Sequence, residues 1–181
     1  MKIPNIRWWI AGLLFLSTVI NYVDRQTLSI VAPRLTKELG LSALEYSYIL
    51  NAFLVAYTLM YLGSGILVDR WGTRKALGAF VGWWSISNML HAFAGNALQL
   101  GFFRLLLGLG EPGNFMAAAR AISEWYTPKE RAFVNGLVQA GASVGAVIAP
   151  PLVVYLLKFY DWRTAFVITG ALGLTKAVRQ S

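Results

Sequence analysis

The chain has 181 residues, of which 57% are hydrophobic and 13% charged, with a mean hydropathy of +0.56. Charged residues make up about a quarter of an ordinary soluble domain, so this composition points to a bilayer as the solvent. The absence of cysteine excludes disulfides, thiolate nucleophiles and cysteine-ligated metals, and the formal net charge of +8 has to be read from where the basic residues fall before it implies any partner.

A membrane-spanning helix takes roughly 20 mostly apolar residues. Five stretches qualify, at about 8–32, 44–67, 76–95, 98–120 and 132–157, and a sixth starts near Arg163. The first follows a basic start, as a signal peptide would, but no A-x-A-like cleavage site follows and apolar segments recur, so it is expected to be retained. Connections at 33–42, 69–75, 95–97, 124–131 and 158–162 are short and rich in turn residues. The sixth span is expected over 163–175: its apolar run gives way after Leu174, so the last helix reads as cut short. The fold class that follows is an all-α polytopic membrane protein.

The basic residues sort by side. Lys2, Arg7, Arg70, Arg74, Lys75, Arg120, Lys129, Arg131, Lys176 and Arg179 fall on one face, and Arg34, Lys37, Lys158 and Arg163 on the other. The richer face is cytoplasmic by the positive-inside rule, which puts the N-terminus in the cytoplasm of a multi-pass protein of the inner (plasma) membrane. The basic excess is therefore topology, and no nucleic acid is required. Trp8, Trp9, Trp71, Trp125 and Tyr126 are expected as interfacial anchors on the cytoplasmic side and Trp162 on the outer side. Asp69-Arg70-Trp71-Gly72-Thr73 and Asp161-Trp162-Arg163-Thr164 each open the third helix of a triplet, a faint internal repeat of the kind transporters carry.

Ionisable groups inside a span are costly and mark candidate sites. Asp24 and Arg25 lie in the outer half of the first span, within the polar run Asn21–Thr27. Adjacent helical positions differ by about 100°, so at least one of the two charges is expected to meet its partner on another helix, while Asn21 and Arg25 share a face. Arg104 and Glu111 lie on one stripe of the fourth span with Gly108 between them, where another backbone can approach. A buried carboxylate that loses its cation takes up a proton, so Glu111 can exchange Arg104 for a proton or a substrate anion. An arginine freed in this way offers a fixed charge and a planar fork to a carboxylate, and Arg25 and Arg104 are the candidates. The alternative is a pair of buried salt bridges that only fix packing.

The one histidine, His91, reads as an interfacial hydrogen-bonding group or, less simply, a proton relay. Tyr57 with Asn51, and Gln139 with Ser143, either face a central cavity or bond helix to helix. Gly136, Ala140, Gly141, Gly145 and Ala149 predict close packing of the fifth span against the first or its neighbours. An enzyme is excluded by inventory, with no cysteine, one histidine and no paired metal ligands, and no cofactor is implied.

After the second span the chain reads Gly65-Ile66-Leu67-Val68-Asp69-Arg70-Trp71-Gly72-Thr73-Arg74-Lys75, which resembles the cytoplasmic signature of the major facilitator superfamily. Arg104-Leu105-Leu106-Leu107-Gly108-Leu109-Gly110-Glu111 is similar to the superfamily's fourth-helix pattern. Within it, Asn21-Tyr22-Val23-Asp24-Arg25 and Gly108-Leu109-Gly110-Glu111 resemble the anion:cation symporters, above all bacterial hexuronate transporters. Trp125 to Arg131 and Gly145 to Pro151 extend the likeness, which is expected to stop near Leu174.

The resemblance implies an N-terminal six-helix bundle, protonation of Asp24 and Glu111, Arg25 and Arg104 that hold the substrate carboxylate or exchange partners with Glu111, and Tyr22 and Tyr57 lining the site, to which the polar Gln139 is added as a substrate-binding candidate. It implies a cytoplasmic gate at Gly65, Asp69, Arg70, Gly72 and Arg74 that latches onto the other half. Pro112 directly after Glu111, and Met116 where relatives often have proline, are expected to shift the fourth-helix kink. The function implied is proton symport of a hexuronate or related sugar acid by alternating access. Its partners are the small organic anion, protons, the lipid bilayer and a missing C-terminal half or a second copy. The alternative is a truncated membrane fragment that does not transport.

Overall fold

The computed structural model describes residues 6–180, with side chains to residue 175; the Lys2 charge and the Lys176 and Arg179 side chains lie outside the described residues. The helices are α1 (Ile6–Glu38), α2 (Ala43–Trp71), α3 (Thr73–Leu90), α4 (Ala97–Gly110), α5 (Pro112–Trp125), α6 (Pro128–Phe159) and α7 (Trp162–Gln180), with a single 3-10 turn at His91–Phe93. Among the described residues there is no strand.

Local chemistry sets the boundaries. Ser42 Oγ accepts from the Glu45 N–H at 3.2 Å while Glu45 Oε2 accepts from the Ser42 N–H at 2.8 Å, a capping box that opens α2. Thr127 and Glu130 repeat that arrangement at α6, with Pro128 in its first turn. Asn96 caps α4 by accepting from Gln99 N–H at 2.9 Å. Between α2 and α3 the chain reverses in one residue, Gly72, at φ +77°, where a side chain would strain the backbone.

Two spans depart from expectation. The fourth is divided at Glu111 because Pro112 has no N–H to donate and its ring crowds the preceding turn, so α4 stops at Gly110 and α5 restarts at Pro112. The sixth continues as helix to Gln180, beyond the 163–175 expected, because backbone hydrogen bonding does not require apolar side chains. By length and composition α1, α2 and α6 are each able to cross a membrane, whereas α4 and α5 reach that length only in tandem.

α1 packs along α6, α2 along α4 and α5, and α3 along α7. Exchanging the first three spans for the last three turns the first pairing into the second and the third into itself, as two related three-helix repeats would. Gly141 and Gly145 bring α6 onto α1: a Cβ on Gly145 would stand 2.5 Å from Val19 O and one on Gly141 2.7 Å from Phe15 O.

Two apolar cores result. One, at the end bearing the N-terminus, is built from Leu14, Phe53, Phe80, Trp84, Leu107 and neighbours; the other, at the opposite end, contains Leu28, Leu35, Leu100, Trp162 and Phe166. Between them lies a polar layer that holds Asn21, Asp24, Asn88, Arg104 and Glu111, all buried.

The aromatic belt is only partly as expected. Trp8, Trp9, Trp71 and Trp125 are exposed, but Tyr126 and Trp162 are buried. Trp162 has 0% exposure because its indole N–H finds Glu38 Oε2 at 2.7 Å and its ring meets Phe166 edge-on, so neither end of it needs the interface.

Candidate functional site

Glu111 sits at the break between α4 and α5 with its carboxylate fully buried. Three glycines make this possible. A Cβ on Gly108 would lie 2.6 Å from Phe53 O of α2, and Cβ atoms on Gly110 and Gly113 would collide with Trp83 and Phe80 of α3. The neighbouring helices therefore close on the break from two sides, and Asn114, one turn on, accepts from Ser17 Oγ of α1 at 2.7 Å.

The cation paired with Glu111 is Arg25, whose Nε stands 3.9 Å from Oε2. The expected exchange partner, Arg104, makes no ion pair within 4.0 Å of Glu111 among the described residues. The helix runs unbroken from Arg104 to Glu111, whose N–H still bonds Leu107 O, and breaks only at Pro112. The two share a stripe but stand seven residues apart along it, about 10 Å at 1.5 Å per residue, and a helix from elsewhere brings the nearer cation. Arg104 is instead buried over the Phe53 ring, 5.5 Å from its centroid, with Nε unbonded.

Arg25 is the more open of the two arginines. Its guanidinium lies 4.9 Å from the Phe53 centroid and 4.7 Å from that of Tyr57, and its side chain keeps 28% exposure. Stacking on an aromatic face is worth about 0.5–2 kcal/mol and leaves the guanidinium edge free for a planar anion.

Asp24 faces elsewhere. It lies just past the middle of α1 on the outer side, and its Oδ1 accepts from Asn88 Nδ2 of α3 at 2.8 Å. Both members of the Asp24–Arg25 pair thus meet their partners on other helices, Asp24 on α3 and Arg25 at the break between α4 and α5. Asn21 does not share Arg25's surroundings: it is fully buried and neither of its amide atoms is bonded.

Of the other expected site residues, Tyr57 joins the cluster through Arg25, whereas Tyr22 is half-buried with its Cβ 2.8 Å from where a Gly145 Cβ would stand. Gln139, Ser143 and Asn51 are exposed, the first two on α6 and the third on α2. His91 is fully buried rather than interfacial; it stacks on Phe166 at 5.0 Å and its Nδ1–H donates to Ser87 O at 2.8 Å.

The loop motif is remote from this layer. Gly65 lies in the last turns of α2, Gly72 makes the turn, and Asp69, Arg70 and Arg74 are exposed. Asp69 Oδ1 pairs with Arg120 Nη1 of α5 at 3.0 Å, and Arg120 in turn holds Glu124 at 2.7 Å, so the acidic residue of the motif is bound within this bundle. Sequence reading missed Phe53, which both arginines use, and Asn88 and Thr169, which surround Asp24; a lone amide in an apolar span was the available signal for Asn88.

Comparison with known proteins gives the family and the fold. The Major Facilitator Superfamily model matches residues 14–178, so the likeness continues past Leu174. Over 177 residues the chain is 38% identical to a hexuronate transporter of Escherichia coli K12, covering 98% of this chain and 41% of that protein. It is 36% identical to a galacturonate transporter of Dickeya chrysanthemi, covering 98% and 51%. The chain thus spans about half or less of the curated relatives it matches. Among solved structures, a bacterial homologue of the human lysosomal transporter Spinster, inward-facing and unoccupied, superposes with a TM-score of 0.84 at 24% identity over 99% of this chain and 43% of that one, a likeness of fold. With the family matched over nearly its whole length, the chain belongs to the major facilitator superfamily.

Proposed function

We propose that this chain is the N-terminal half of a proton-coupled carrier of small organic anions, a hexuronate or related sugar acid, that works by alternating access in the inner membrane with its N-terminus cytoplasmic. The observation that carries this reading is the Arg25–Glu111 pair, in which a buried carboxylate holds an arginine that is itself open on one side and stacked on Phe53 and Tyr57. The names of the relatives support the substrate class.

In the empty site Glu111 neutralises Arg25. A proton on Glu111 releases the guanidinium, whose fork then takes the substrate carboxylate bidentately. One proton and one anion enter together, and the charge of the layer does not change. Arg104 supplies a second positive charge, Asp24 a second proton site, and Tyr22, Tyr57 and Gln139 hydrogen bonds for sugar hydroxyls. Gly65, Asp69, Arg70, Gly72 and Arg74 form the cytoplasmic gate, with the Asp69–Arg120 contact as the element that opens or closes against the other half.

The test compares two modes of transport by the complete carrier in proteoliposomes. Glu111→Gln and Asp24→Asn are expected to abolish accumulation driven by a pH gradient while sparing substrate exchange. If accumulation and exchange fall equally, the proton-site assignment is wrong. The alternative, a bundle that inserts without transporting, predicts no gradient-driven uptake by this chain alone.

A further inference from the structure

Asp24 is held by a group of neutral residues on α3 and α7 that take no part in the Arg25–Glu111 pair. Asn88 Nδ2 stands 2.8 Å from Asp24 Oδ1, 2.9 Å from Thr169 Oγ1 and 3.4 Å from the backbone oxygen of Phe166. All three side chains have 0% exposure. The amide orientation follows from these partners, because the Phe166 oxygen can only accept. Turning the amide over would set its carbonyl against that oxygen and against a carboxylate.

The two oxygens of Asp24 are therefore unequal. Oδ1 accepts an N–H, whereas Oδ2 is buried with no hydrogen-bond partner. An ionised carboxylate leaves Oδ2 buried without a protein hydrogen bond, while a proton placed there keeps Oδ1 as the carbonyl oxygen and leaves the Asn88 bond intact.

We propose that Asn88 is a positioning residue for Asp24: its amide engages Oδ1 and leaves Oδ2 as the atom that takes up and releases the transported proton. The step forms one O–H bond at Oδ2 at the expense of a hydronium ion and breaks no other bond in the protein. This rests on the reading of Asp24 as a proton site. Glu111 acts on Asp24 electrostatically, and Arg25 and Arg104 act on Glu111. From α3 and α7 the groups around Asp24 are the neutral Trp84, Asn88 and Thr169, with the His91 imidazole one turn beyond Asn88.

Infrared difference spectroscopy of this chain in lipid vesicles tests the atom assignment without any transport. On acidification a protonated carboxyl band that disappears in Asp24→Asn is expected, and in Asn88→Leu it moves to higher frequency because its carbonyl oxygen has lost the N–H donor. Ser87→Ala, which removes a hydroxyl of α3 bonded to Trp83 O and keeps the Asn88 donor, leaves the band in place and shows that the shift is not general loosening. No Asp24 band, or one that Asn88→Leu leaves unmoved, overturns the proposal. Should Asn88→Leu fail to insert, Asn88→Ser shortens the donor and is read in the same way. In the complete carrier Asn88→Leu is expected to reduce gradient-driven accumulation at least tenfold while exchange changes less than twofold. Absence of proton-driven uptake in the unmutated carrier would instead refute the symport reading and leave the infrared result to stand by itself.

Discussion

Gly145→Ala probes the contact that sets α1, and with it Arg25, in place. A Cβ there would lie 2.5 Å from Val19 O and 2.8 Å from Tyr22 Cβ. The nearer atom is backbone, so no side chain can swing away, and α1 has to retreat by most of an ångström. Overpacking of this kind costs about 1–3 kcal/mol. Gly136→Ala, two turns earlier on the same helix, meets nothing within 4 Å and supplies the control. Both variants gain the same helix propensity, up to about 1 kcal/mol, so the difference between them isolates the steric part. Unfolding in mixed micelles, followed by tryptophan fluorescence, is expected to place Gly145→Ala about 1–3 kcal/mol below Gly136→Ala. Equal stabilities within about 0.5 kcal/mol would refute the claim that α1 and α6 touch backbone to backbone here.

Three further outcomes follow from the same geometry. Arg25→Gln takes the cation from Glu111, which then binds a proton. The variant is therefore expected to cost about 3–5 kcal/mol at alkaline pH, where that proton is lost, and less near neutrality, Arg25→Gln with Glu111→Gln recovering most of it; a double-mutant cycle by the same unfolding assay that shows simple additivity would remove the pair. Glu130 is held below the usual carboxylate range by the Thr127 backbone N–H and then its hydroxyl. A lowered folded-state value means stability present near neutral pH and lost on acidification, so the unfolding midpoint falls between about pH 5 and pH 3, by less in Glu130→Gln. Trp162→Ala is expected to cost about 3–5 kcal/mol, as a core deletion does, whereas exposed Trp9→Ala leaves the unfolding midpoint nearly unchanged.

The spans and the identity of the four charges inside them were legible because each depends on a local property: apolar length, or the presence of an ionisable group where none is cheap. The glycines of α6 announced the contact with α1 for a similar reason, since a small residue repeated every turn leaves a groove only another helix can fill. Partnership was not legible. Arg104 and Glu111 fall on one stripe of an ideal helix, but Pro112 interrupts that helix beside Glu111, and the cation that arrives is Arg25, from a helix 86 positions earlier in the chain. Trp162 reads as a boundary residue until Glu38, 124 positions away, accepts its N–H. What the sequence by itself determined is therefore where the spans lie and on which of them the costly charges ride. Only the tertiary structure decided which groups are buried and which of them meet, because apolar length and charge are properties of a local stretch of chain, whereas burial and pairing depend on how close separate helices come to rest.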